Sequence, residues 1–164
     1  MSDVNPFPAA DPDRHAIWEM LVRRDIEAFA AGDWEAHFRD FAPDLFFGID
    51  GAFSDNPDAW RITYADIERY RDAWVGGSRD LTGRIAPGAL AQALFALTSL
   101  TDIEIVKGFA MARKRFDGEI RLDDGGIETL RWQTLYFCRR VEGRWRIAGF
   151  LGYLPNPMGT PKAA

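Results

Sequence analysis

Cysteine is almost missing from this sequence: Cys138 stands alone. No internal disulfide can form, and a lone thiol fits a reducing compartment best. Cys138 also lies mid-strand in the pattern, without a histidine nearby in sequence, and reads as a packed thiol and not a nucleophile. Histidine is nearly as scarce, with His15 and His37 only. Neither has acidic neighbours at ligand spacing, so no metal is expected. Arginine far outnumbers lysine but is scattered along the chain, and the formal net charge is −5. That leaves no basic face for phosphates, so no nucleic-acid partner is expected. No apolar run approaches the ~20 residues of a membrane span. The opening "MSDVNPFPAADPD" lacks the basic and apolar regions of a signal peptide. The expectation is a cytoplasmic chain without a membrane partner. "GGSRDLTG" (76–83) has neither the lysine nor the strand-turn-helix setting of a phosphate loop, and no cofactor is expected.

What is present is one domain's worth of ordinary globular sequence. The chain has 164 residues, 47% of them hydrophobic and 13% aromatic, enough to bury roughly 70% of its unfolded surface. Residues 1–10 and 155–164 are rich in proline and small residues and read as loosely ordered ends around a domain spanning 11–154. Asp11-Pro12 predicts the start of a helix that runs to about Ala31, where Gly32 stops it. Asp33 caps a second, short helix over 34–41. "LFFGI" after Pro43-Asp44 reads as a strand, and a third helix is predicted from Thr63 to Val75, with a flexible connection beyond it. Residues 89–98 fit either helix or strand. From about Ile103 to Leu154 the pattern is extended, with Asp117-Gly118, Gly125-Gly126 and Glu142-Gly143 as turn signals. Helices first and meandering strands after predict an α+β fold, with the helices on one face of an antiparallel sheet.

The polar residues on apolar faces carry the functional signal. At 100° per residue, Ile17, Trp18, Leu21, Val22, Ile26, Ala28 and Phe29 make one broad face of the first helix. Asp25 falls near its middle. A carboxylate there is paired with an arginine in the packing, exposed by a rotation of the helix, or open to a cavity, because burying it alone costs several kcal/mol. His37 lies among Trp34, Phe38 and Phe41 on the inner side of the short helix. It is either a core histidine bonded to a carbonyl or a base beside Asp25 with one nitrogen free for a ligand. Strand alternation separates Trp132, Thr134, Tyr136 and Cys138 from Arg131, Gln133, Leu135 and Phe137.

"AFAAGDWEAHFRDFAPDLFF" followed by "LYFCRRVEGRWRIAGF" resembles the nuclear transport factor 2-like superfamily over about residues 12–154, with "GDW…FAPD" and "GRWRIAG" most similar to its SnoaL-like and scytalone dehydratase-like branch. The resemblance implies a cone: a curved antiparallel sheet wrapping the N-terminal helix, a cystatin-like arrangement, with an apolar pocket at the open end. It also implies that the parity carrying Arg131 and Gln133 is concave. Trp132, Tyr136 and Trp145 would then form a convex aromatic patch, and a homodimer through that face is expected. Asp25 falls in a slot resembling that of the oxyanion-binding tyrosine of ketosteroid isomerases. Arg113 falls in one resembling a histidine slot of scytalone dehydratases and is a candidate counter-ion for Asp25. Departures are as plain. No histidine occurs in "AQALFALTSL" or "AMARKRF", Phe29 stands where a tyrosine is implied, Ile49 where the isomerase base would fall, and Leu135 replaces a second oxyanion donor.

The combined expectation is a domain that binds a small, largely apolar cyclic or aromatic molecule. Its chemistry, if any, is cofactor-independent isomerisation, dehydration or cyclisation. Asp25 and His37 would be the acid–base pair, with Arg113, Arg131, Gln133, Tyr70, Trp34 and Phe150 around the ligand. The competing expectation is a non-catalytic binding or dimerisation module in which Asp25 and Arg113 form a structural ion pair.

Overall fold

The structure, a computed structural model, describes residues 3–159. Asp11 accepts from the Arg14 N–H and Pro12 occupies the first turn, so helix α1 (Pro12–Trp18) begins where capping chemistry places it. It continues without a break through a π-helical stretch, Glu19–Arg24, into α2 (Asp25–Ala31). Gly32, at φ 66, ends α2 in the left-handed conformation that glycine adopts most freely. Asp33 then caps α3 (Trp34–Phe38) by accepting from the Ala36 N–H. Two longer helices, α4 (Ile67–Thr82) and α5 (Leu90–Leu97), follow the first strands.

Six strands make one curved sheet: β1 (Phe47–Asp50), β2 (Arg61–Tyr64), β3 (Thr98–Val106), β4 (Phe109–Arg121), β5 (Ile127–Val141) and β6 (Arg144–Pro155), in the order β2-β1-β6-β5-β4-β3. Among the described strands only the β1–β6 pairing is parallel, and an isolated parallel bridge joins Phe41 to Ile147. The helices lie in the concavity. Ile17, Met20, Leu21 and Ile26 of the α1–α2 rod are almost completely buried against inward residues of the long strands, among them Ala112, Cys138 and Ile147. The architecture is α+β, a cone with its apolar filling at the closed end.

Several local expectations need correction. The third helix starts at Ile67 because Asp66, not Thr63, caps it, and it continues through Gly76-Gly77 to Thr82 where a flexible connection was expected. Residues 90–97 are helix, and the chain turns extended at Thr98. Asp117-Gly118 is no turn. It lies within β4, where Gly118 is a flat spot: a Cβ there would come within 2.9 Å of Leu97 Cβ. The Gly125-Gly126 and Glu142-Gly143 turns do join β4–β5 and β5–β6. Of the expected loose ends, residues 1–2 and 160–164 lie outside the described residues, while Asn5 and Phe7 fold back onto α1.

The largest correction concerns which face of β5 is concave. Trp132, Thr134, Tyr136 and Cys138 point inward; Arg131, Gln133, Leu135 and Phe137 point outward. Trp145 is also internal, its indole donating to Asp13 at 3.0 Å and tying β6 to α1. The alternation itself holds, but both parities mix rings with polar groups, so hydrophobicity did not identify the side on which the helices pack. Arg113 shares the outward parity with Gln133, and Lys114 the inward one with Thr134.

Candidate functional site

A cavity of about 310 Å³ opens between α4 and the inner faces of β4–β6. One wall is a helical stripe of α4, with Tyr70, Ala73, Trp74 and Gly77 recurring at three- and four-residue steps. The opposite wall is inward strand residues, chiefly Phe116, Leu130, Trp132, Thr134, Tyr136 and Phe150. Asp25 enters from the end of the π-helical stretch. Its side chain keeps 16% of its surface, and that surface faces the cavity.

Asp25, Lys114 and His37 meet at and behind the floor. Lys114, with no exposed surface, places Nζ 2.5 Å from Asp25 Oδ2 and donates to the Leu21 carbonyl at 2.6 Å. That carbonyl belongs to the π-helical turn, a wider winding that recurs at functional sites because it displaces backbone groups from the regular ladder. On the other side His37 Nε2 lies 3.4 Å from Asp25 Oδ1. The His37 ring stacks on Trp74 at 4.9 Å and meets Phe41 edge-on at 4.8 Å. Burial alone would raise the Asp25 pKa, but the Lys114 ammonium and its hydrogen bond outweigh it and hold the carboxyl below its ordinary range. Burial pushes the His37 imidazole below its ordinary range, against the pull of Asp25. The site therefore holds an ionised carboxylate between an ammonium and a neutral imidazole whose proton, by this geometry, sits on Nε2. His37 Nδ1 is left as a sealed acceptor, the one buried side-chain nitrogen or oxygen without a partner among the described residues.

Three phenols also line the cavity. Burial lifts Tyr70 and Tyr136 well above the ordinary tyrosine range and pushes Tyr153 up to about 12. All three are neutral donors. Among the described residues none of their hydroxyls has a protein hydrogen-bond partner. At the mouth Arg84 bridges Asp80 at 3.1 Å and Glu128 at 2.8 Å.

The candidate residues from the sequence divide accordingly. Asp25, Tyr70 and Phe150 line the cavity. His37 is 2% exposed and stands behind Asp25, so it orients the carboxylate without reaching the cavity. Trp34 packs on the far side of His37, at 5.7 Å between rings. Arg113 is not the counter-ion of Asp25; it bonds Gln133 at 2.7 Å on the outer face and lies 3.9 Å from Asp102. Arg131 pairs outside with Asp117, and Gln133 donates to the Pro155 carbonyl. Lys114, Trp74, Tyr136 and Tyr153 were the residues missed. Cys138 is buried and its thiol is pushed up to about 12 by burial, which leaves it an inert packing group.

No family model matches the chain, and no curated protein matches it. Solved structures do. A nuclear transport factor 2-like superfamily protein of Salmonella enterica matches with a TM-score of 0.56 at 12% identity, over 90% of this chain and 94% of the other. A nuclear transport factor 2-like protein with a cystatin-like fold from Novosphingobium aromaticivorans gives 0.54 at 18%, over 90% and 84%. One of unknown function from Silicibacter pomeroyi gives 0.53 at 15%, over 89% and 98%. The chain has the nuclear transport factor 2-like fold.

Two outcomes follow from the buried triad. A group whose pKa is depressed on folding stabilises the fold above its unfolded value and loses that contribution as protons bind. For His37 the loss begins as pH falls below about 6.5, and for Asp25 below about 4. Thermal unfolding followed from pH 8 to about pH 2 should show Tm falling from about pH 6.5 downward, and His37→Phe should remove that upper limb while keeping the lower one. Lys114→Met strands the carboxylate and should lower stability by about 3 kcal/mol, most of it restored in the Asp25→Asn/Lys114→Met double variant. Denaturant titration of the natural protein, the single variants Asp25→Asn and Lys114→Met, and the double variant reads the coupling.

Proposed function

We propose that this protein binds a small, largely apolar cyclic or aromatic molecule in the cone and acts on it by cofactor-independent acid–base chemistry. The observation that carries the reading is the Asp25 carboxylate: ionised, clamped by Lys114 at 2.5 Å, and the floor of a cavity walled mainly by rings. A carboxylate fixed in place and turned toward bound carbon or hydroxyl is a general base in reach of its proton. Trp74 and His37 fix its second oxygen's side, and Lys114, which also lines the cavity, balances its charge. The Lys114 ammonium keeps the carboxylate ionised and in place, so the site supplies an available, positioned proton acceptor and not one of raised basicity. The reactions this suits are isomerisation, dehydration and cyclisation, as in the SnoaL-like and scytalone dehydratase-like proteins whose motifs the sequence resembles.

The test is a thermal-shift screen with mono- and bicyclic ketones and phenols, followed by deuterium exchange into any ligand that raises Tm. Binding should survive Asp25→Asn while exchange falls at least about a hundredfold, the scale of one acid–base group. Exchange unchanged in Asp25→Asn would make Asp25–Lys114 a structural pair in a binding module. No shift from any ring compound would remove the ligand reading altogether.

We further propose a homodimer through the convex face, on residues different from those expected. Phe47 and Phe109 keep 38% and 56% of their surface exposed there, and the Phe47 ring stacks on Phe137 at 6.0 Å. An outward aromatic strip of this kind is the usual centre of a sheet-to-sheet contact. Sedimentation velocity should give a dimer for the natural chain and a monomer for Phe109→Asp; a natural chain that sediments as a monomer overturns it.

A further inference from the structure

Among the described residues, five other than glycine adopt a left-handed backbone: Ala52, Phe53, Lys107, Glu142 and Tyr153. Lys107 and Glu142 sit in tight turns between strands, where that conformation is ordinary turn chemistry. Ala52 and Phe53 are likewise the central residues of a tight turn, closed by the Ser54 N–H donating to the Gly51 carbonyl at 2.9 Å, but Tyr153 lies within β6. The turn and Tyr153 meet at one edge of the cavity, where Gly51 N–H donates to the Gly152 carbonyl and Phe53 N–H to the Tyr153 carbonyl, both at 2.8 Å. The Phe53 and Tyr153 rings lie 5.8 Å apart, and the Tyr153 ring lies 5.8 Å from Trp132.

The strain has a geometric product. Opposite Tyr153 the β5–β6 register shifts: Leu135 pairs with Leu151 but Gln133 pairs with Leu154, so β6 carries one extra residue. In a regular strand Phe150 and Gly152 would face inward and Tyr153 outward. The bulge, pinned by the 51–53 loop, turns Tyr153 inward instead, and its side chain lines the cavity alongside Asp25. A bulky residue held at φ 53 is unfavourable unless its surroundings fix it, and such residues collect where a side chain must be aimed. Packing alone does not call for it, since among the described residues the hydroxyl so delivered has no protein partner.

We propose that Tyr153 is a specificity-determining residue whose hydroxyl donates a hydrogen bond to a carbonyl-type oxygen on the bound molecule, so that the ligand class is a cyclic or aromatic ketone and not a plain hydrocarbon. This rests on the cavity being a ring-binding site, as proposed above. The site then has an acceptor of protons, Asp25, and a donor, Tyr153, entering from different elements.

Two isosteric probes separate the readings: 2-acetonaphthone, which carries the acceptor, and 2-isopropenylnaphthalene, which replaces it with a methylene. The natural protein should bind the ketone about tenfold more tightly, the scale of one hydrogen bond that leaves no buried group unpaired. Tyr153→Phe, which keeps the ring and the bulge, should bind the two equally, while Tyr136→Phe keeps the preference. The C=O stretch of the bound ketone, measured by difference infrared spectroscopy, should move to lower frequency in the natural protein and in Tyr136→Phe, and return in Tyr153→Phe. Equal binding of both probes by the natural protein overturns the Tyr153 assignment and leaves the cavity reading standing; so does a preference or infrared shift that survives Tyr153→Phe. Failure of the natural protein to bind either probe overturns the cavity reading and the assignment with it. Should Tyr153→Phe not fold, an unshifted C=O stretch in the natural protein still overturns the assignment.

Discussion

A fully buried lysine touching a nearly buried carboxylate is the contact on which the rest of this molecule turns. Neither Lys114 nor Asp25 is tolerable in the interior alone, because a desolvated charge costs several kcal/mol. Together, with the Leu21 carbonyl taking a further ammonium hydrogen, they bind the first helix to the middle of the sheet. The contact joins residues 89 positions apart and sets where the helix can sit in the cone. It also sets what the cone can do, since the same carboxylate forms the cavity floor.

The surrounding aromatic shell follows from that choice. Trp74 stacks on His37, Phe41 closes its edge, and Trp34 meets both His37 and Trp74. Rings present large apolar surface to the imidazole without offering it a proton or an acceptor, which is why His37 Nδ1 is sealed without a partner. A neutral histidine with one nitrogen toward Asp25 is thereby preferred over the imidazolium. The histidine that looked from its sequence neighbours like a base is better described as the back support of one.

The fold was legible in the sequence to a much greater degree than the site. Gly32, Asp33 and Asp11-Pro12 act at fixed local geometry, so helix ends could be read from residue type. Asp25 and Tyr70 were legible as polar groups on apolar helical faces. Lys114 was not, because it sits between Arg113 and Arg115 in a run that reads as solvated, and only the parity of β4 separates the three. Once the concave parity was taken the wrong way, Arg113 replaced Lys114 and Arg131 and Gln133 replaced Trp132 and Tyr136 in a single step. A period-two pattern fixes which residues share a face but leaves open which face is covered; that depends on helix packing, a long-range fact. The π-helical turn and the bulge at Tyr153 each shift side-chain registration by local irregularity, and neither carries a sequence signal a periodic reading could detect.

The charges around the cavity bear on what can occupy it. Asp25 is balanced by Lys114, and at the mouth Arg84 is shared by Asp80 and Glu128. Three carboxylates thus face two cations along the lining, and both cations are already committed. A carboxylate or phosphate ligand would have to displace one of those partners or lie against net negative charge in a region walled by rings, where screening is weak. A neutral ring compound meets neither obstacle. It gains from the apolar walls, and any single polar atom it carries finds the unpaired phenols in place of water. Electrostatics and packing therefore favour the same kind of occupant, although they come from different elements: the ion pairs from α2, α4 and β4–β5, the phenols from α4, β5 and the strained turn in β6.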